Sequence, residues 1–205
     1  MPKPSSKRCC LHPEVLLRIF ILVTGLWGGL LAAPVAADAP DPELRQLLKA
    51  AANDTSSFND RFDAEVWLVD MSARLERYIR DPAERIHLLR LVHAEATRAG
   101  LSPELVLAVI HIESRFDRFA ISRVGAQGLM QVMPFWKKEI GRPQDNLFKI
   151  ETNLRYGVTI LKHYYQKEKG NLIRALARYN GSAGKTWYPE KVMNAWEKFW
   201  FVKHI

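Results

Sequence analysis

Apolar side chains recur along this chain at three- and four-residue spacing, and short polar runs with proline or glycine break the pattern into segments. Residues 59–80 put Trp67, Leu68, Met71, Leu75, Tyr78 and Ile79 on one broad stripe, which predicts a helix that Asp81-Pro82 ends. A second helix carries Ile86, Leu88, Leu89, Leu91, Val92 and Ala96 and stops at Gly100, a left-handed cap. Ser102-Pro103-Glu104 opens the next with an N-cap, a proline and a first-turn acid, and it runs to about Arg115. A glycine-containing loop from Asp117 to Gly128 leads into a helix expected over Leu129 to Ile140. Further helices are expected over Thr152 to Lys169, over Leu172 to Tyr179, and from near Pro189 through Val192, Trp196, Phe199 and Trp200. Asp38-Ala39-Pro40-Asp41-Pro42 reads as a linker, followed by a brief helix through Ala52. No long alternating run of β-branched residues and no internal repeat appears, so the fold class is mostly α.

The start of the chain has a different character. Lys3, Lys7, Arg8 and Arg18 precede an apolar run from Ile19 to Leu31, which gives way to small residues up to Ala37. That order is a secretory signal peptide, with cleavage expected after Ala37. The alternative is an uncleaved tether, against which Gly25, Gly28, Gly29 and Pro34 interrupt a run that barely reaches the ~20 residues a bilayer needs. Cys9 and Cys10 are the only cysteines and both lie within residues 1–37, so the mature chain has none. Disulfide frameworks, thiol nucleophiles and Cys-ligated zinc are excluded together. Of the 205 residues, 38–97 hold 8 bases and 12 acids, whereas 98–205 hold 18 bases and 9 acids. A basic C-terminal half implies an anionic partner, and export favours the carboxylate-rich cell-wall polymer over nucleic acid or lipid.

Glu113 carries the candidate chemistry. Val106, Val109 and Ile110 precede it by seven, four and three residues, so it shares their apolar stripe. Burial there disfavours the charged carboxylate and raises its pKa, and the negative end of the helix dipole pushes the same way. A glutamic acid kept protonated near neutral pH suits general-acid attack on a glycosidic bond. Spacing alone also allows an edge-of-core glutamate paired with Arg115 or Arg118.

The surrounding residues narrow the reading. Glu113-Ser114-Arg115-Phe116, Ala120, Ser122, Gly125-Ala126 and Gly128-Leu129-Met130-Gln131-Val132-Met133-Pro134 form one motif. Asn153-Leu154-Arg155-Tyr156-Gly157 with Leu161, and Ala177-Arg178-Tyr179-Asn180-Gly181, form two more in order. Together, over residues 101–200, they resemble the soluble lytic transglycosylase family, which shares a lysozyme-like fold with goose-type lysozymes. The resemblance implies a mostly α, lysozyme-like catalytic domain over residues 98–205, behind a helical N-terminal extension over 38–97 and the signal peptide over 1–37.

It also implies a role for each matching residue. Glu113 is the single catalytic acid and later the base. Ser114 hydrogen-bonds its carboxyl, and Tyr179 contacts the carboxyl from across the cleft. Met130 and Gln131 line the sugar subsites, and Asn180 supplies polar contacts. The implied reaction cuts the MurNAc-GlcNAc β-1,4 bond of peptidoglycan without water and leaves a 1,6-anhydromuramic acid end. No cofactor, no metal and no nucleic acid is expected, and the implied location is the periplasm. Partners in the envelope machinery stay unspecified. Arg118, Arg178 and Gly181-Ser182 depart from residues common in the family, which bears on loop shape rather than on the acid. The alternatives are a goose-type lysozyme-like hydrolase and a wall-binding module without turnover.

Other residues carry weaker signals. Asp117, four residues after Glu113, could be a second carboxylate, but Arg115 and Arg118 offer it an ion-pair role. His87, His93, His163 and His204 show no ligand spacing and read as surface or satisfied helix residues. Trp196, Phe199 and Trp200 lie at helical spacing and read as core. Trp187 and Tyr188 fall in a loop after the Tyr-Asn motif, where a ring could stack on a sugar.

Overall fold

Six consecutive residues, Leu105 to Ile110, are buried on every side of one helix, and the rest of the fold wraps around it. The structure is a computed structural model that describes residues 57–58 and 60–202. The signal-peptide segment, the linker and the brief helix expected through Ala52 lie outside the described residues. In chain order the helices are α1 (Arg61–Leu75), α2 (Pro82–Ala99), α3 (Pro103–Glu113), α4 (Trp136–Ile140), α5 (Ile150–Lys167), α6 (Leu172–Tyr179) and α7 (Trp187–Ala195), followed by a π-helical turn over Trp196–Trp200. Among the described residues there is no strand, only two isolated bridges, Ile121 with Gln127 and Gln127 with Val132. The expectation of a mostly α fold is met.

Local chemistry sets most of the boundaries. The Asp60 carboxylate accepts from the Asp63 amide at the start of α1, and the Asp81 side chain does the same for Ala83 ahead of Pro82 in α2. Gly100 ends α2 at φ 60° and donates its N–H to Ala96 and Thr97. Ser102 Oγ accepts from the Leu105 amide, with Pro103 in the first position of α3. Such caps contribute about 1 kcal/mol each.

Packing follows the stripes. α3 contacts α2, α7 and the π turn, and α5 lies against α2 and α6. Leu68, Met71 and Leu75 of α1, Leu88, Leu89 and Val92 of α2, and Leu154, Val158 and Leu161 of α5 are essentially inaccessible to solvent. Burying one such aliphatic side chain stabilises the fold by roughly 1.5–3 kcal/mol. The buried charged groups are hydrogen-bonded. Arg85 donates to Ser72 Oγ and to the carbonyls of Ile79 and Arg80, which fixes the turn between α1 and α2. Glu95 on α2 holds Arg155 on α5 at 2.6 Å.

Two expectations are corrected. Leu129 to Ile140 is helical only over Trp136–Ile140, because the segment before it is a bridged loop with Gly128 at φ 76° and Gln131 at φ 49°. The last helix starts at Trp187 rather than near Pro189. Proline is tolerated throughout the first helical turn, so it does not mark the start.

Candidate active site

The site is built where α3 ends. Glu113 is its last residue, and Ser114 caps it by donating its N–H to the Ile110 carbonyl at 3.0 Å. Arg115 and Phe116 then both take left-handed backbone, at φ 53° and 70°. For non-glycine residues that costs on the order of 1–2 kcal/mol each. Burial of the Phe116 ring against Tyr78, His111 and Trp200 offsets it. The sharp reversal turns the chain away from the end of α3 and leaves the Glu113 carboxyl largely buried at the edge of the core.

Tyr188, in the first turn of α7, donates its hydroxyl to Glu113 Oε1 at 2.6 Å. Burial raises the Glu113 pKa to about 7, and the Tyr188 hydrogen bond offsets part of that rise. Tyr179, at the end of α6, donates to the Met130 carbonyl at 2.6 Å. Both tyrosine hydroxyls are held well above the ordinary phenol range, by burial first and then by the nearby Glu113 charge. Both therefore remain hydrogen-bond donors at any physiological pH. Glu113 Oε2 has no hydrogen-bond partner among the described residues, so one oxygen is fixed and the other is open.

The loop over residues 117–133 forms the neighbouring wall, and one side chain holds it. Asn153 on α5 accepts from the Met130 amide at 2.8 Å and donates to the carbonyls of Gln127 and Leu147, both at 2.8 Å. The contact is close enough to need glycines. A Cβ on Gly128 would lie 2.4 Å from Asn153 Nδ2, and one on Gly157 would lie 2.4 Å from the Met130 sulfur. Asn153 and Gly157 were visible as a motif, and the loop they hold gives that motif its role.

The residues named from the sequence divide as follows. Glu113 and Tyr179 come together, with Tyr188 as a third member that sequence reasoning placed in a loop. Ser114 Oγ donates to the Ile110 carbonyl at 3.3 Å, so its hydroxyl closes the helix and Tyr188 supplies the bond to the carboxyl. Met130 is fully buried with its sulfur against α5, so it presents its carbonyl to Tyr179 and no side chain to a groove. Gln131 Nε2 donates to the carbonyls of Ala120 and Gly128, which leaves its amide oxygen for a ligand. Asn180 is exposed at the C-terminal end of α6.

Asp117 is exposed, and its carboxylate accepts from the Phe119 amide in a local turn. Trp187 is exposed with Lys191 over its ring, whereas Tyr188 is buried. Trp200 is fully buried, and Trp196 and Phe199 pack against the core. His93 stacks on Phe58 and shares a hydrogen bond with Ser57. His87 lies 3.5 Å from Glu151, and His204 is outside the described residues. Among the described residues no cluster of three or more His, Cys, Asp or Glu could hold a metal, and no helix is long and apolar enough to cross a membrane.

One desolvated carboxyl thus stands at a helix end, fixed on one oxygen by a buried tyrosine and open on the other. Residues 90–199 match the family described as the transglycosylase SLT domain, and the chain belongs to that family. The chain is 34% identical over 112 residues to proteins named membrane-bound lytic murein transglycosylase C from Yersinia pestis and Yersinia pseudotuberculosis. That match covers 47% of this chain and 31% of the relative, so the chain spans about a third of the length of those proteins. Among solved structures it is similar to an inactive mutant of the lytic transglycosylase Slt from Pseudomonas aeruginosa, at 24% identity and a TM-score of 0.43, over 70% of this chain and 30% of that one. It is also similar to the 70 kDa soluble lytic transglycosylase of Escherichia coli, at 23% identity and a TM-score of 0.42, over 75% and 25% of the two chains.

Proposed function

We propose that this protein is a peptidoglycan lytic transglycosylase and that Glu113 is its only acid and base. The observation that carries the reading is the Glu113 carboxyl, raised to about 7 by burial and bonded to Tyr188, inside a domain of this family. A carboxyl with that pKa is about half protonated at neutral pH, so it can both give and take a proton there. Glu113 gives its proton to the oxygen bridging MurNAc and GlcNAc, and the C–O bond on the MurNAc side breaks. The substrate's N-acetyl oxygen stabilises the cationic centre at C1. The carboxylate, now the base, takes the proton of the muramic acid 6-hydroxyl, whose oxygen bonds to C1 and closes the 1,6-anhydro ring. Atoms balance without water, and Glu113 ends protonated as it began.

In this mechanism Tyr188 positions Glu113 and limits the rise of its pKa, and Tyr179 steadies the facing loop through Met130. The Gln131 amide oxygen and the Asn180 side chain are the polar contacts offered to sugars. The catalytic domain takes in the family-matched residues 90–199, and the proposed extension over residues 38–97 runs into it through α2 (Pro82–Ala99) without a break. Export to the periplasm, with residues 1–37 removed, completes the proposal. It is tested by the N-terminal residue of the exported protein, which should be Asp38.

The reaction itself is tested by mass analysis of a digest of purified sacculi. Every new muramic acid end should be one water lighter than a reducing end and should be absent with Glu113→Gln. Reducing ends would instead mean hydrolysis.

A further inference from the structure

Between Tyr179 and Tyr188 the chain does more than connect two site residues. It forms one side of a pocket of about 470 Å³ whose other sides come from the exposed face of α6 and the end of α5. The pocket is lined by Arg174, Arg178 and Lys185, with Glu168 as the only acid. Asn171 and Thr186 add neutral polar groups.

Glu168 offsets one of these three positive charges and leaves the other two unbalanced. Its carboxylate accepts from Arg178 Nε, which fixes the guanidinium while its two terminal nitrogens make no hydrogen bond to the described residues. The Arg174 side chain, four residues earlier on the same face, and the Lys185 ammonium likewise make none. The backbone around them is set. Ser182 is buried and donates its N–H to the Ala177 carbonyl at 2.8 Å, and the Lys185 amide bonds the Ser182 carbonyl at 2.9 Å. Asn171 is committed as the cap of α6. A fixed loop thus holds unspent donors of positive charge around a concavity.

We propose that this pocket binds the free carboxylates of the peptide stems attached to the glycan strand. Guanidinium groups recognise carboxylates through paired, charge-assisted hydrogen bonds, which a planar Arg makes better than a point charge. The loop that lines the pocket lies between Tyr179 and Tyr188 in the chain, and Tyr188 bonds Glu113, so one short segment links the pocket to the acid. The inference rests on the glycan-cleaving reading and adds what selects the substrate.

Two measurements separate that inference from the reading beneath it. The first uses no turnover. Free stem peptide, released from sacculi by an amidase, is titrated into the full-length Glu113→Gln protein and followed by NMR shifts. Saturable binding is expected, and it should weaken about tenfold or more in Arg174→Ala/Lys185→Ala, as loss of charge-assisted bonds implies. Amidating the peptide's carboxylates should weaken it as much. Equal binding of the amidated peptide, equal binding by the double variant, or no saturable binding would overturn the proposal.

The second measurement compares cleavage of stem-bearing glycan with glycan stripped of its stems. Arg174→Ala/Lys185→Ala should raise KM for the first about tenfold, leave kcat in place, and leave the second unchanged. An equal effect on both substrates, or none on either, would contradict a stem site. Failure of the protein with Glu113 intact to cleave either glycan, beside positive peptide binding, would remove the catalytic reading and leave the pocket standing.

Discussion

His111 and Glu113 sit two residues apart at the end of α3, and burial acts on both, yet one is a structural tie and the other is poised for chemistry. Desolvation disfavours the charged form in each case, so the His111 pKa is lowered and that of Glu113 is raised. The difference lies in what each can still bond. The Trp200 indole can only donate, so His111 Nδ1 is the acceptor at 3.3 Å and Nε2 carries the hydrogen toward the Tyr78 oxygen at 2.8 Å. Both ring nitrogens are used, within rings from Tyr78, Phe116, Phe199 and Trp200. Arg77 and Arg115 add positive charge that further opposes protonation. Glu113 has one oxygen bonded to Tyr188 and one open. A buried group with every bond made is a fastener, and a buried group with one bond left over can exchange a proton with a ligand.

The comparison breaks first at its catalytic side. Glu113→Gln should lower turnover by about 10²–10⁴-fold, measured as release of soluble muropeptides. A loss under about tenfold, below that range, would remove Glu113 from the acid role. His111→Ala should instead lower stability by about 2–4 kcal/mol in urea unfolding, through the cavity and the orphaned Trp200 and Tyr78 groups. Turnover per folded molecule should stay within a few-fold. A larger effect on rate than on stability would erase the division between the two residues.

pH sharpens the same contrast. His93, lowered to about 4 mainly by burial, and His111 bind protons more readily when unfolded, so their contribution to stability falls as pH drops below about 6.5. Glu113 runs the other way. Its folded pKa of about 7 lies above the unfolded value of 4.5, so its contribution is present below 4.5 and is lost as pH rises through 7. Glu113→Gln should therefore gain on wild type by on the order of 1–3 kcal/mol between pH 4.5 and pH 8, read by urea unfolding across that range. A stability difference independent of pH would contradict the buried-acid account. The smallest effect belongs to Tyr188→Phe, which should cost about 1 kcal/mol in stability and lower turnover several-fold at neutral pH, by leaving Glu113 less fixed.

Sequence reading reached the Glu113 side of this contrast and stopped short of its support. The break at Asp81-Pro82, the caps at Gly100 and Ser102 and the apolar residues at offsets of three, four and seven from Glu113 are local signals, and they place α2, α3 and the burial of the acid. Tyr188 is 75 residues from Glu113, and nothing local tells a tyrosine that will bond a distant carboxyl from one in a loop. The segment from Leu129 misled for a related reason. Its apolar content suits a helix, but three hydrogen bonds from Asn153 and the left-handed Gly128 and Gln131 hold it as a loop. The same loop buries Met130, whose expected subsite role needs an exposed side chain, because Gly157 admits the Met130 sulfur against α5.

The central claim is that burial raises the Glu113 carboxyl's titration to near neutral pH, and its own titration tests this most directly. Protein labelled with ¹³C at glutamate side-chain carboxyls, with Glu113→Gln identifying the resonance, gives that curve by NMR. The account predicts a midpoint of about 7 in the protein with all its tyrosines, and a higher one in Tyr188→Phe, where the offsetting hydrogen bond is gone. A midpoint near the ordinary glutamate value of 4.5, unmoved by loss of the Tyr188 hydroxyl, would contradict it.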